Sequence, residues 1–164
     1  TPEHARKRVA LRTDKLVGSE WDDGRMRIPA GSGSLLSTTM DMTIFAQMFL
    51  NNGIYGDKRV LCPSSVYEMT HNQLPGIHAR YKDETFSEAN YGYGWATSET
   101  KDWLDCGSLQ SSKTFWHNGW GITFLWCDPV YEMAVSFFTI SNNAKNQGKE
   151  PGLFINAVMS AIND

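Results

Sequence analysis

Between Thr38 and Gly53 the apolar residues recur at helical spacing. Met42, Phe45, Ala46, Phe49 and Leu50 fall at i, i+3, i+4, i+7 and i+8, which places all five on one face of a helix. Thr38 stands where a cap is needed, and Asp41, three residues on, gives a capping-box-like start that suits the positive end of the helix. Gly53, after Asn51-Asn52, supplies a left-handed stop. A methionine and aromatic stripe of this kind reads as core rather than as a cofactor box. Tyr55-Gly56-Asp57 forms a turn and Arg59-Val60-Leu61 a short extended piece. A second helix opens at Cys62-Pro63, because proline suits the first helical position, where its missing N–H has no helical partner. It buries Val66 and Met69 and fades near His71-Asn72. Residues 73–90 read as a polar loop containing His78, Arg80, Lys82, Asp83 and Glu84.

From residue 91 the period changes from helical to two. Tyr91-Gly92-Tyr93-Gly94-Trp95 alternates aromatic and glycine as a strand does, and its glycines leave one face bare for a close neighbour. Lys113–His117, Ile122–Cys127 and Met133–Ile140 follow as strands, the last two joined by an Asp128-Pro129 turn. The connections are too short for crossover helices, so the strands run antiparallel. A final helix spans Pro151 to Ile162, with Leu153, Phe154, Ala157, Val158, Ala161 and Ile162 as its apolar stripe. Helices, a meander and a closing helix predict an α+β fold, an antiparallel sheet packed with helices. The organisation is an irregular lead-in over residues 1–30, where Arg6, Lys7, Arg8 and Arg12 cluster and Asp22-Asp23-Gly24 forms a turn, and a single domain over 31–164.

Composition narrows the class without naming an activity. A chain of 164 residues buries about two-thirds of its unfolded surface, enough for a core without staples. Apolar residues at 41% against 20% charged exclude a disordered chain. The 14 glycines and six prolines sit near the average usage of about 12%, which excludes collagen-like and low-complexity readings. A net charge of −3 lacks the basic face of a nucleic-acid partner. No apolar run reaches the length of a membrane span. Cys62, Cys106 and Cys127 form neither a CxxC pair nor a zinc pattern, which leaves one disulfide with a free thiol, or three thiols. The first residue is Thr1 rather than Met, so the sequence reads like a mature or excised piece.

The candidate chemistry is sparse. None of His4, His71, His78 and His117 belongs to a metal pair such as HExxH, and Pro29–Ser34 is glycine-rich but lacks the lysine and spacing of a phosphate loop, so no metal or cofactor is expected. The strained GxSxG elbow of an α/β-hydrolase is absent. One SxxK occurs, Ser98-Glu99-Thr100-Lys101. A nucleophilic serine of that spacing sits on a helix, whose turn returns the lysine to its side. Here the tetrapeptide follows a strand in a charged, unpatterned stretch, and a hairpin loop is the better reading. His117-Asn118-Gly119 has a more suggestive context, since it closes a strand and leads through Trp120-Gly121 into another. There Gly119 would let a ligand approach closely, and His117 would set a hydrogen-bonding ring beside it. The plain alternative is a strand-end histidine before a turn.

Three stretches resemble one family. Gly31–Gly53 (GSGSLLSTTMDMTIFAQMFLNNG) is similar to the "GGL-STa-D-FaqmLLnGG" segment of the serine β-lactamase-like hydrolases. Arg59–Thr70, running into Gln73-Leu-Pro-Gly76, is similar to the helix that follows it there. Tyr91-Gly-Tyr-Gly-Trp95, His117-Asn-Gly119 and Trp126-Cys-Asp-Pro129 resemble the "YGyGw … HxG … wvDP" end of the same proteins. Order and spacing agree over roughly residues 29–163. Class C β-lactamases, EstB-type esterases and D-Ala-D-Ala peptidases are the relatives this suggests. The family acts through SxxK, a Tyr-x-Asn or Tyr-x-Ser element, and a Lys-Thr-Gly or His-x-Gly strand. Only the third matches here, and the first two normally precede the region of Gly31. The resemblance therefore implies the C-terminal part of a β-lactamase/transpeptidase-like fold, inactive alone, whose parent hydrolyses an ester, amide or β-lactam through an acyl-enzyme.

The resemblance also assigns roles. His117 would polarise the proton-relay groups, Gly119 would permit close packing, and the Trp120 N–H would be one of two oxyanion-hole donors. Asn118 stands where threonine is common and offers an amide in place of a hydroxyl. Histidine in place of lysine removes a permanent charge, and both departures favour esters or amides that lack a carboxylate. Trp116, with Trp120 and Trp126, would wall an acyl pocket, although alternate strand residues are as readily core. The resemblance implies a periplasmic or secreted bacterial protein and pairing of this chain with an N-terminal part or with itself. A different class of reading makes it a non-catalytic module that holds glycan or peptidoglycan on exposed tryptophans.

Overall fold

The computed structural model describes residues 35–81, 83–101, 107–119, 121–139 and 150–162. The basic cluster at Arg6–Arg12, the Asp22-Asp23-Gly24 turn, the Pro29–Ser34 lead-in, Cys106, Trp120 and Ile140 lie outside the described residues. The chain divides into two compact units, Thr1–Thr38 and Thr39–Asp164, and the described helices and strands all belong to the second.

Helix α1 (Thr39–Leu50) buries Ala46, Met48 and Phe49, with Met42 and Leu50 half-buried against the same core. Phe45, expected inside, is 45% exposed, although its ring meets Phe49 edge-on at 5.2 Å and stacks on Trp95 at 6.2 Å. Met48 is buried in its stead. The helix has two neighbours, the main sheet and a small hairpin at its end, so its buried arc extends beyond a single stripe. The stop also differs in detail from the expectation. Gly53 N–H donates to the Met48 carbonyl at 2.8 Å and Asn52 N–H to that of Phe49 at 3.0 Å. This is the Schellman pattern with Asn52 (φ 51°) in the left-handed C′ position and Gly53 (φ 85°) following it. A side chain at Gly53 would meet the Leu61 carbonyl oxygen at 2.1 Å, so the glycine serves the close return of the chain as well.

That return is the hairpin β1 (Ile54–Tyr55) with β2 (Lys58–Arg59). Helix α2 (Pro63–Thr70) starts at the expected proline, with Cys62 as its N-cap and His71 as its C-cap, and buries Val66. Residues 73–90 are not all loop: β3 (Ala79–Tyr81) pairs antiparallel with β4 (Glu84–Phe86). Arg80, Tyr81, Glu84 and Thr85 are exposed, Ala79 is half-buried and only Phe86 is buried, so the hairpin leaves no apolar alternation to read.

The main sheet has the order β5 (Ala96–Thr97), β6 (Phe115–Gly119), β7 (Thr123–Asp128), β8 (Met133–Phe137), antiparallel throughout. The expected strand at Tyr91–Trp95 is reduced to one bridge between Tyr91 and Ala96. Gly94 has φ 81°, which breaks extended geometry, and a Cβ on Gly92 would stand 2.2 Å from the Met69 carbonyl oxygen. The glycines serve a tight loop against the end of α2, not a bare strand face. Ile122, expected as the first residue of a strand, lies in the β6–β7 turn with φ 68°.

Side-chain alternation builds two cores. Phe115, Leu125 and Cys127 join Ala46, Phe49, Val66 and Trp95 on the α1 side. Trp116, Phe124 and Trp126 join Ile155 and Met159 of helix α3 (Glu150–Ser160) on the other. The α3 face differs from the expected stripe, because Leu153 is 68% exposed whereas Pro151, Gly152, Ile155 and Met159 are buried. Its seat is set by residues 107–109. A Cβ on Gly107 would touch Ile155 Cγ2 at 2.8 Å, and Leu109 N–H donates to Asn156 Oδ1 at 3.1 Å. Trp95, Trp116 and Trp126 are at most 3% exposed, so these three offer no glycan-binding surface. No helix among the described residues is long and apolar enough to cross a membrane.

Candidate active site

Strand β6 presents the sequence-predicted site at its C-terminal end. It pairs with β7 over its whole length, His117 opposite Leu125 and Gly119 opposite Thr123. On its other side β5 reaches only Phe115 and Trp116. The outer edge of residues 117–119 therefore has no strand partner among the described residues, and all three are exposed. By alternation His117 and Gly119 share the α1-side face with Phe115, whereas Asn118 and Trp116 face the α3 side. Trp116 is 2% exposed and stacks on Phe124 at 5.7 Å, so it supports the strand from behind. Trp120 lies outside the described residues.

The strand end is closely fitted. A Cβ on Gly119 would stand 2.3 Å from Thr123 Oγ1, so no side chain fits there while that hydroxyl keeps its place. The turn beyond has Gly121 at φ 88° and Ile122 at φ 68°. A left-handed β-branched residue costs of order 1–3 kcal/mol. Ile122 is held there by burial, at 3% exposure.

The opposite end of β6 is anchored by a polar cluster. Asp128 is fully buried. Its Oδ2 accepts from Ser111 N–H at 2.7 Å and from the Thr114 hydroxyl at 2.9 Å. Its Oδ1 accepts from the Ser111 hydroxyl at 2.6 Å and from Val130 N–H at 3.0 Å. Beside it Gln110 donates from Nε2 to Ser98 Oγ at 2.6 Å and accepts at Oε1 from Trp126 Nε1–H at 2.9 Å. Ser98 is thus a fully buried structural residue. Lys101 is exposed with φ 55°, so the SxxK tetrapeptide is not on a helix and is no nucleophile–base pair.

In the sequence Asp128 stands as a turn residue and Gln110 carries no evident role. A signal was present. The register Phe115–Cys127 sets Thr114 opposite Asp128, so a polar run before one strand faces a lone acid at the end of the next.

Among the described residues two thiols are free, Cys62 exposed and Cys127 buried. Hydrogen bonds from the Ser64 and Ser65 hydroxyls, with backbone help at the start of α2, lower the Cys62 pKa to about 7. Burial, and secondarily Asp128, pushes the Cys127 thiol far up. The thiolate is the nucleophile, so alkylation by iodoacetamide should select Cys62 of these two, with a rate half-maximal near pH 7. Changing both Ser64 and Ser65 to alanine should move that midpoint up toward the ordinary thiol range, and an unmoved midpoint would refute the assignment to the two hydroxyls.

Comparison with known proteins gives the family and the fold. The beta-lactamase family profile matches residues 1–155. A protein named "Putative D-alanyl-D-alanine carboxypeptidase" from Salmonella enteritidis PT4 is 27% identical over 157 residues, which are 92% of this chain and 34% of that protein. The protein of the same name from Salmonella gallinarum is 26% identical over the same coverage. This chain thus spans about a third of the length of these curated relatives. Among solved structures, a beta-lactamase from Mycobacterium bovis superposes with a TM-score of 0.64 at 22% identity, covering 76% of this chain and 44% of its own.

Proposed function

The chain belongs to the beta-lactamase family, and from that premise we propose that it contributes the substrate-facing strand of a serine hydrolase whose nucleophile lies outside these 164 residues. The fold is that of the serine hydrolases of this family. One observation carries the finer reading: His117-Asn118-Gly119 stands exposed at the end of β6, beyond the reach of β5, where an extended acyl group could add along the strand edge. There His117 polarises the proton relay of a serine and its base. The Trp120 N–H is one donor to the developing oxyanion, a contribution of about 2.7–4 kcal/mol to the transition state. Gly119 keeps the strand end low enough for substrate to approach.

The reaction is hydrolysis of an ester, amide or β-lactam through an acyl-enzyme. Histidine and asparagine in the motif favour substrates without a carboxylate at that strand, while the name of the Salmonella relatives favours a peptide. The reading includes export to the periplasm or beyond, and pairing of this chain with the remainder of a longer hydrolase or with itself. The sole SxxK of the chain is the buried Ser98 tetrapeptide, and no Tyr-x-Asn or Tyr-x-Ser occurs in it. The chain alone should therefore form no acyl-enzyme. Intact mass after a serine-reactive fluorophosphonate, and separately after a penicillin, should show no adduct. A stoichiometric adduct with either reagent would place the nucleophile within these residues and overturn the reading.

A further inference from the structure

A cavity of about 370 Å³ opens at the other end of β6, between the C-terminal ends of α1 and α2. None of His117, Asn118 and Gly119 lines it. Its floor is apolar, made of the buried side chains of Phe49, Val66 and Phe115. Four ionisable side chains, Tyr67, His71, Glu99 and Lys113, stand in its wall. An apolar floor with a few convergent polar groups is the usual make-up of a small-molecule site.

The polar groups sort by charge. His71 Nδ1 lies 2.9 Å from the Tyr67 carbonyl oxygen. A carbonyl only accepts, so Nδ1 carries the proton and Nε2 of the neutral ring is an acceptor. The ring is stacked on Tyr67 with centroids 3.7 Å apart, which fixes its plane. Glu99 Oε1 accepts from Asn72 N–H at 3.1 Å, and its Oε2 has no donor among the described residues. The Lys113 ammonium has no hydrogen-bond or ion-pair partner among the described residues. Thr97, also in the wall, has a buried hydroxyl with no hydrogen-bond partner among the described residues.

Two acceptors and one cation thus surround an apolar floor. A lone carboxylate would gain Lys113 and be opposed by Glu99, and a lone ammonium would meet the reverse. A molecule carrying both charges satisfies both. We propose that this cavity binds a small zwitterion with an apolar side group, in the manner of a free aliphatic or aromatic α-amino acid. Its ammonium meets Glu99 and His71 Nε2, its carboxylate meets Lys113, and its side group lies on Phe49, Val66 and Phe115.

The test is a titration of the 164-residue chain, labelled with nitrogen-15, with leucine, leucine methyl ester and N-acetylleucine. The ester lacks the carboxylate and the acetyl derivative lacks the ammonium. Leucine should shift the amide signals of His71, Glu99 and Lys113 saturably, and each analogue should bind about tenfold more weakly or worse, as the loss of a hydrogen bond to a charged group predicts. K113A and E99Q should each weaken leucine by a similar factor, with circular dichroism confirming that they fold. The analogues make the same discrimination on the unaltered chain if a variant does not fold. The proposal is overturned if leucine gives no saturable shift, if a singly charged analogue binds as tightly, or if the shifts centre on residues 117–119.

Discussion

Asp128→Ala should destabilise the chain by about 3–5 kcal/mol, a large part of the roughly 5–15 kcal/mol that holds a domain together. Its carboxylate is fully buried and accepts four hydrogen bonds, two on each oxygen. Removing it leaves the N–H groups of Ser111 and Val130 and the hydroxyls of Ser111 and Thr114 without their acceptor. The hydroxyls can rotate toward other partners, and the N–H groups cannot. That asymmetry makes the conservative change informative. Each carboxylate oxygen receives one backbone N–H, Ser111 on Oδ2 and Val130 on Oδ1. An asparagine must turn its NH₂ toward one of them, donor against donor, in either flip. Asp128→Asn should therefore cost about 2 kcal/mol or more. Urea unfolding of the three proteins measures both values. An asparagine variant within experimental error of the parent would show that the carboxylate does not accept from both N–H groups.

The elements that sequence exposed best are those whose apolar pattern has a single neighbour to answer to. Helix α2 starts at Pro63 and buries Val66 as its spacing predicts, and β6, β7 and β8 fall within a few residues of the apolar runs that mark them. The failures share a cause. Phe45 and Met48 exchange places because α1 meets both a hairpin and the sheet. Leu153 is exposed because Gly107 and Asn156 set the seat of α3. Tyr91–Trp95 imitates a strand, yet Gly92 admits the carbonyls at the end of α2 and Gly94 turns the chain at φ 81°. In each case a contact distant in sequence decides, and one-dimensional periodicity does not encode it. The candidate site divides in the same way. His117-Asn118-Gly119 was legible as a motif. That β5 stops opposite Trp116 and does not reach residues 117–119 is something no local pattern reveals.

Gly119→Ala should lower kcat/KM of a longer hydrolase carrying this chain by about 10²–10³, the scale of losing one oxyanion donor. Two separate demands fall on this glycine. Inward, a methyl group would stand 2.3 Å from Thr123 Oγ1, its direct partner across the β6–β7 pair. That conflict can be relieved by turning Thr123 to another rotamer, at about 1 kcal/mol. Outward, on the proposed role, the methyl raises the strand end against the incoming acyl group and displaces the N–H that follows. The double variant Gly119→Ala with Thr123→Ala separates the two. Removing the hydroxyl ends the inward conflict, so the stability lost in the single variant should return. If Gly119 serves only to fit Thr123, activity returns with it. If the glycine serves the approach of substrate, the double variant regains its unfolding midpoint while kcat/KM stays low. Thr123→Ala alone, with near-normal activity, supplies the baseline. Recovery of both quantities in the double variant would remove Gly119 from the site and leave it as a packing residue of the hairpin.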